Sequence, residues 1–182
     1  MNRRSFMQTV GTGAAAAVIP AQPTLPAVET AVARIVAPDQ GLVWVMDSDR
    51  PMTFKLLTEQ TGDRLGVFEE RVPPAAGTPL HIHLGSDEVI HVLEGELLIR
   101  LGTERSMAAA GSWVFIPRGV VHGWKNIGRT PARATYLFTP GQGAKFFEAL
   151  RLLALPIPRI DQETLAALSK RHGYELVSLT WD

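Results

Sequence analysis

The chain contains no cysteine, no excess of either charge and no long apolar run. Without cysteine there are no disulfide bonds, thiolate nucleophiles or cysteine-ligated metals, so any metal must be held mainly by histidine and carboxylate. Lys and Arg total 18 and Asp and Glu total 18, a balance that does not indicate nucleic acid or an anionic membrane surface as a partner. The absence of a Gly-x-Ser-x-Gly sequence disfavours a serine hydrolase. These absences leave a small molecule as the expected partner.

What is present fits one globular domain. The chain has 182 residues, of which 46% are hydrophobic and 20% are charged. These are the proportions of a folded protein and not of a disordered or collagen-like chain. The length allows one sizeable core.

Residues 1–27 differ in composition from the rest of the chain. They have a basic start, a short alanine-rich middle and small residues at the exit, and no acidic residue precedes Glu29. This is the layout of an export signal cleaved near Ala21 or Ala27, and its apolar run is too short to span a bilayer. The stretch from Arg3 to Met7 resembles the twin-arginine signals that direct folded proteins to the bacterial periplasm. We therefore predict contact with the export machinery and no membrane attachment after signal removal, with a frayed basic terminus as the alternative.

The middle of the chain predicts an all-β domain over residues 41–140, preceded by a linker or N-terminal arm over residues 28–40. Short runs of β-forming residues alternate with turn signals, as in a sandwich or barrel. The candidate strands are Leu42–Met46, Thr53–Leu57, Leu65–Val72, Pro79–His83, Glu88–Leu101, Ser106–Ala109, Ser112–Ile116, Val120–Lys125 and Ala132–Phe138.

Residues 141–182 predict a helical extension. Ala144 to Leu155 has an apolar stripe at helical spacing, comprising Phe146, Phe147, Leu150 and Leu153. A second helix is expected from the N-cap Asp161 through Lys170, and a last strand from Tyr174 to Leu179. We interpret this tail as a lid or as an arm of a homodimer, with core packing as the favoured explanation of its Phe and Leu stripe.

Two histidines and a carboxylate are concentrated in one short stretch. His81 and His83 are two residues apart on a predicted strand and therefore project from the same face. The residues Gly85, Ser86 and Asp87 form turns readily, so a turn there would bring Glu88 towards the two histidines. These three side chains could bind one ion together.

Two spaced motifs resemble those of the cupin superfamily. The first is His81-x-His83, followed by Glu88 after four residues and Gly95 after six more. The second consists of Gly111, Pro117, Gly119, His122 and Asn126 at the usual spacing. The resemblance covers about residues 42–140 and implies a double-stranded β-helix, or cupin jelly-roll barrel, with one or two C-terminal helices. It also implies that His81, His83, Glu88 and His122 bind a divalent metal. One departure affects the approach loop, because the glycine expected at position 75 is Ala75, and Gly77 lies two residues later.

A set of three imidazoles and one carboxylate leaves two positions open on an octahedral ion. Export in the folded state favours iron or manganese, since the metal can be acquired before tighter-binding ions compete, while nickel, copper and zinc remain possible. A closed tetrahedral zinc site of purely structural function is the alternative.

Five further residues are candidates for the site or its surroundings. His91 is three residues beyond Glu88 and is expected on the opposite face of the strand. Trp124 and Phe138 are expected in the core or in a pocket wall. Glu69 and Glu70 are adjacent, so only one can face inwards as a general base, and two solvated charges are the favoured reading.

The pattern of apolar residues around the two motifs is similar to that of single-domain quercetin-dioxygenase-like cupins. This resemblance implies a metal-dependent dioxygenase acting on a small aromatic, flavonol-like or enediol substrate, with Glu88 or another acid accepting the substrate proton. A metal-dependent isomerase or lyase, and a binding module without catalysis, remain alternatives on the same fold.

Overall fold

A computed structural model describes residues 31–47, 50–153 and 159–181. The predicted signal peptide and the start of the predicted linker lie outside these residues. Within the described ranges, no helix is both long and apolar enough to cross a membrane.

The protein consists of two antiparallel sheets followed by two helices and a last strand. The strands are β1 Leu42–Asp47, β2 Arg50–Leu56, β3 Gly66–Val72, β4 Leu80–His83, β5 Asp87–Glu94, β6 Glu96–Leu101, β7 Glu104–Ala109, β8 Trp113–Ile116, β9 His122–Lys125, β10 Ala132–Thr139 and β11 Tyr174–Ser178. The helices are α1 Gln142–Leu152 and α2 Gln162–His172, and a short 3₁₀ helix spans Thr58–Thr61. The prediction of an all-β core with C-terminal helices is confirmed.

The six-stranded sheet has the order β1-β2-β3-β10-β5-β8, and the five-stranded sheet has the order β11-β4-β9-β6-β7. Strands alternate inward and outward residues, and the inward side chains of both sheets form one core. The core contains large apolar side chains from most strands, among them Phe54, Phe68, Ile90, Leu97, Ile116 and Tyr136. The sheets therefore enclose a common interior.

Two strand predictions require correction. The stretch predicted as one strand from Glu88 to Leu101 is two strands, because Gly95 has a φ of 72° and turns the chain between β5 and β6. The polar and proline residues from Asp47 to Pro51 indicate a turn before the strand predicted at Thr53–Leu57, but β2 already begins at Arg50. Arg50 is thereby placed on a strand opposite Asp47 of β1.

The approach loop before β4 shows what the missing glycine does to the backbone. Ala75 has a φ of 67°, a left-handed conformation that alanine rarely adopts. Gly77 has a different role from the missing glycine. A Cβ at Gly77 would lie 2.5 Å from the carbonyl oxygen of Trp124. Gly77 is therefore needed for a close approach to β9.

The C-terminal extension packs against the barrel. Phe146 and Leu150 of α1 are buried as predicted, but the helix ends at Leu152, and Leu153 is 37% exposed. The second helix begins after Asp161, whose carboxylate accepts a hydrogen bond from Thr164 N at 2.8 Å. Strand β11 then pairs with β4, so the chain's end covers the strand that contains both predicted histidine ligands.

Candidate metal centre

The structure brings the four predicted ligands together between the two sheets. His81 and His83 lie on β4, and His122 lies on β9, where it pairs with His81. Glu88 lies on β5 in the other sheet, opposite Phe138 of β10. The turn after β4 therefore takes the chain across the interior, so that Glu88 faces the histidines instead of lying beside them on a hairpin. Each of the four contributes a ligand atom, and these atoms all lie within 4.8 Å of one another.

The cluster is buried and closely spaced. All four side chains are 3% exposed or less. Glu88 Oε2 lies 2.9 Å from His122 Nε2 and 3.3 Å from His83 Nε2. Donor atoms bound to a single ion with bonds of about 2.1 Å are themselves about 3 to 4 Å apart. The spacing is therefore that of ligands able to share one ion.

Hydrogen bonds orient two of the three imidazoles. His81 Nδ1 lies 2.9 Å from the carbonyl oxygen of Pro79, and His122 Nδ1 lies 2.9 Å from that of Val120. A backbone carbonyl can only accept, so each Nδ1 is protonated and each Nε2 is directed into the interior, where that of His122 contacts Glu88. Such backbone contacts are typical of histidines that bind metals.

The side chain of His83 gives the most direct support for a bound metal. Among the described residues, neither of its ring nitrogens has a hydrogen-bond partner, although the side chain is buried. Its Nε2 approaches Glu88 at 3.3 Å without hydrogen-bond geometry. A buried polar atom without a partner costs about 1–3 kcal/mol, and a metal–nitrogen bond would remove that cost. The donor set of three imidazoles and a carboxylate therefore fits a divalent ion.

Electrostatics hold His81 and Glu88 in the protonation states that a metal requires, whereas for His122 burial, which would lower the pKa, is outweighed by the hydrogen bond to Glu88, which raises it. Burial, with the neighbouring His122 and His83, lowers the pKa of His81 to about 3, so this imidazole is neutral at physiological pH. Burial alone would raise the pKa of Glu88, but the hydrogen bond from His122 and the proximity of His83 lower it below its ordinary value. Glu88 is therefore ionised.

A three-ring stack supports His81 from the side of the C-terminal strand. The ring of Tyr174 lies parallel to that of His81, with centroids 4.7 Å apart and an angle of 11°. Its other face stacks on Phe146 at 4.5 Å and 15°. Sequence reasoning missed Tyr174 because the contact depends on β11 pairing with β4, which no local pattern indicates.

A small cavity adjoins the cluster. It has a volume of about 20 Å³, room for one or two water molecules. Its lining includes three of the four predicted ligands and the side chains of Met46, Arg50, Met52, Phe68, Glu70, Thr78, Trp124, Tyr136, Phe138 and Phe147. Trp124 and Phe138 are thus both core residues and cavity wall.

Beside this cavity lies a buried ion pair that the sequence did not predict. Glu70 is 2% exposed and accepts a hydrogen bond from Arg50 Nε. Arg50 also donates to the carbonyl oxygen of Gly77 at 3.0 Å, and its guanidinium lies 4.9 Å from the Trp124 ring centroid. Burial raises the pKa of Glu70 while Arg50 opposes the rise. The prediction that both carboxylates are solvated is wrong for Glu70. Glu69 lies on the outer face of the sheet, where it pairs with Arg133 at 3.6 Å. The alternation Phe68-Glu70-Val72 on β3 was the available indication.

His91 lies outside the candidate site, as its strand position predicts. It is on the outer face of the six-stranded sheet, where its ring stacks on Trp113 with centroids 3.9 Å apart. It has no contact with the cavity lining.

Comparison with known proteins finds similarity over part of the chain. Residues 68–138 match the family model described as a cupin domain. An uncharacterised protein of Methanocaldococcus jannaschii is 33% identical over 72 residues, which are 40% of this chain and 58% of that protein. The oxalate oxidase GF-3.8 of Triticum aestivum is 36% identical over 107 residues, which are 52% of this chain and 48% of that protein. The chain thus spans about half the length of the curated relatives it matches.

Solved structures show the same fold. An RmlC-like cupin from Shewanella frigidimarina superposes with a TM-score of 0.54 at 18% identity, covering 63% of this chain and 96% of that one. At this identity the likeness concerns the fold alone. The double-stranded β-helix is therefore confirmed.

Proposed function

We propose that this protein, whose residues 68–138 form a cupin domain, is a metal-dependent oxidoreductase of the dioxygenase type that acts on a small substrate chelating through neighbouring oxygens. His81, His83, Glu88 and His122 would hold one divalent ion, with iron or manganese favoured. The observation that supports this most is the buried His83, whose ring nitrogens have no hydrogen-bond partner among the described residues. The wheat relative's name, oxalate oxidase, supports oxygen chemistry on a small chelating molecule.

The bound ion would supply Lewis acidity and, for iron or manganese, redox chemistry towards dioxygen. The surrounding residues exclude water, because Phe68, Phe138 and Phe147 line much of the cavity. A cavity of about 20 Å³ must widen for either substrate, and a small enediol requires far less widening than a flavonol-like molecule. Met46 and Met52 line the same space, and their unbranched side chains can repack around a small ligand.

Two carboxylates could accept the substrate's proton. Glu88 was predicted in this role, but as a metal ligand its lone pairs would be partly used. Glu70 lines the same cavity, is buried and has a raised pKa because of burial, which are the properties of a general base. We therefore assign the base role to Glu70 and the ligand role to Glu88.

A second function is favoured by the same interior. A metal-dependent isomerase or lyase needs an internal acid and base, and Glu70 and Tyr136 supply one of each in a single cavity. Oxygen dependence separates the two functions. Turnover that continues under strict anaerobiosis would indicate the isomerase or lyase.

The direct test of the proposed function is oxygen uptake. Protein loaded anaerobically with iron or manganese is placed in an oxygen electrode and given small enediols, catechols and flavonols in turn. We expect uptake with the enediols and none from a His83→Ala variant treated in the same way. Uptake by the parent no greater than by His83→Ala, with every substrate, would refute the dioxygenase proposal.

A further inference from the structure

The hydroxyl of Tyr136 lies in the interior without a hydrogen-bond partner among the described residues. The side chain is 1% exposed and lines the cavity beside the ligand cluster. Its ring is fixed by packing, since it stacks on Phe68 with centroids 5.1 Å apart and lies 5.4 Å from Trp124. The oxygen atom thus has a definite position and no hydrogen-bond partner within residues 31–47, 50–153 and 159–181.

The strand register places this hydroxyl between two polar ends of the cavity. On β10, Phe138 pairs with Glu88 of the ligand cluster, and Ala134 pairs with Glu70 of the buried ion pair. Tyr136 is the inward residue between them, about 7 Å along the strand from either neighbour. A ligand in the cavity would therefore meet the ligand cluster at one end and Tyr136 next.

Packing of the core does not require the hydroxyl group of Tyr136. A phenylalanine would make the same ring contacts and avoid burying a polar atom without a partner. Glu70 already has Arg50 as its hydrogen-bond donor, and no hydrogen bond joins Glu70 to Tyr136 among the described residues. Burial raises the pKa of Tyr136 well above its ordinary value, so the phenol stays protonated and can donate. Among the described residues, no acceptor oxygen lies within hydrogen-bond reach of the Tyr136 hydroxyl.

We propose that Tyr136 donates a hydrogen bond to the substrate oxygen next to the one directed at the ligand cluster, and so selects small molecules with two neighbouring oxygens. This inference rests on the proposed function, because it needs an ion to hold the first oxygen. Tyr136 then orients the substrate without exchanging a proton with it. Recognition by a buried donor also disfavours analogues that lack the second oxygen, because the hydroxyl is then left unpaired.

The test compares the parent with Tyr136→Phe, which keeps the ring and removes only the hydroxyl. Both proteins are loaded with manganese, and acetohydroxamate, a small stable mimic of an enediolate, is titrated into each by calorimetry. We expect equal metal content and a dissociation constant about tenfold higher for Tyr136→Phe, the effect of one hydrogen bond. Because the lost hydroxyl has no partner in the protein, the variant should be at least as stable as the parent.

The matched control is Thr135→Val, which removes a hydroxyl from the next residue of β10 on the outer face. It should bind metal and acetohydroxamate like the parent. Unchanged acetohydroxamate binding by metal-loaded Tyr136→Phe, or no binding by the metal-loaded parent, would overturn this inference and leave the metal site intact. A clear loss of stability in Tyr136→Phe would also contradict it, because the hydroxyl would then have a structural role. A parent that takes up no metal would refute the proposed function, and this inference with it.

Discussion

Replacing Arg50 with methionine should destabilise the protein by about 3–5 kcal/mol, because it leaves the Glu70 carboxylate buried without its opposite charge. The Glu70 side chain is 1% exposed and that of Arg50 is 12% exposed, so water can replace the guanidinium only poorly. For a domain of this size, such a loss lowers the melting temperature by roughly 10 °C. Thermal and urea unfolding followed by circular dichroism would measure it.

The double variant Arg50→Met with Glu70→Leu should recover most of the lost stability. Removing both charges eliminates the desolvation cost, and buried ion pairs replaced by apolar residues are often neutral or even more stable. If Glu70 is the base, the recovered fold should nevertheless be inactive. A stable, inactive double variant would show that the pair is retained for chemistry.

An outer-face ion pair that also involves β3 supplies the control. Glu69 and Arg133 are 3.6 Å apart, with side chains 28% and 44% exposed. Arg133→Met should therefore cost less than about 1 kcal/mol. An Arg50→Met protein as stable as Arg133→Met would refute the reasoning, since it would mean that Glu70 is not buried as a charge.

Three further predictions concern the protein's stability and its metal. In urea titrations, the metal-free protein should become less stable as the pH falls from 6.5 to 3. His81 contributes up to roughly 4 kcal/mol of this loss, because its imidazole stays neutral in the folded state but binds a proton in the unfolded state. The lowered pKa of Glu88 acts in the same direction below about pH 4.5, whereas the raised pKa of His122 contributes stability that is lost only as the pH rises. A flat profile over that acid range would contradict the burial of His81. Tyr174→Ala removes the ring stacked on His81 and should weaken metal binding about tenfold in a competitive chelator titration. Tyr174→Phe keeps the ring and should bind metal like the parent. An equal loss of metal affinity in both variants would exclude the stack as the cause. Ala75→Gly should stabilise the protein by up to about 1 kcal/mol by relieving its left-handed backbone, and a loss of stability would show that the conformation is not strained.

The ligand set could be predicted from sequence because its information is local or motif-based. The alternation of side chains along a strand placed His81 and His83 on one face, and it correctly placed His91 on the other side of its strand. His122 came from a second motif at fixed spacing. Their assembly across two sheets followed from the fold that the motifs implied.

The remaining features of the interior depend on packing between distant elements. Arg50 was placed in a turn because polar and proline residues surround it, yet pairing with β1 extends the strand to include it. Charged residues are usually solvated, which favoured exposure of Glu70, although its alternation with Phe68 and Val72 on β3 indicated the inward face. Tyr174 reaches His81 through a strand pairing that spans about half the chain. None of these contacts has a local sequence pattern.

The most direct test of the account is the metal content of the protein. Protein purified without chelators is measured by mass spectrometry for metal per chain, beside His83→Ala and a His91→Ala control that removes a histidine outside the cluster. The account predicts about one divalent ion per chain in the parent and in His91→Ala, and close to none in His83→Ala. Equal metal content in the parent and in His83→Ala would contradict it.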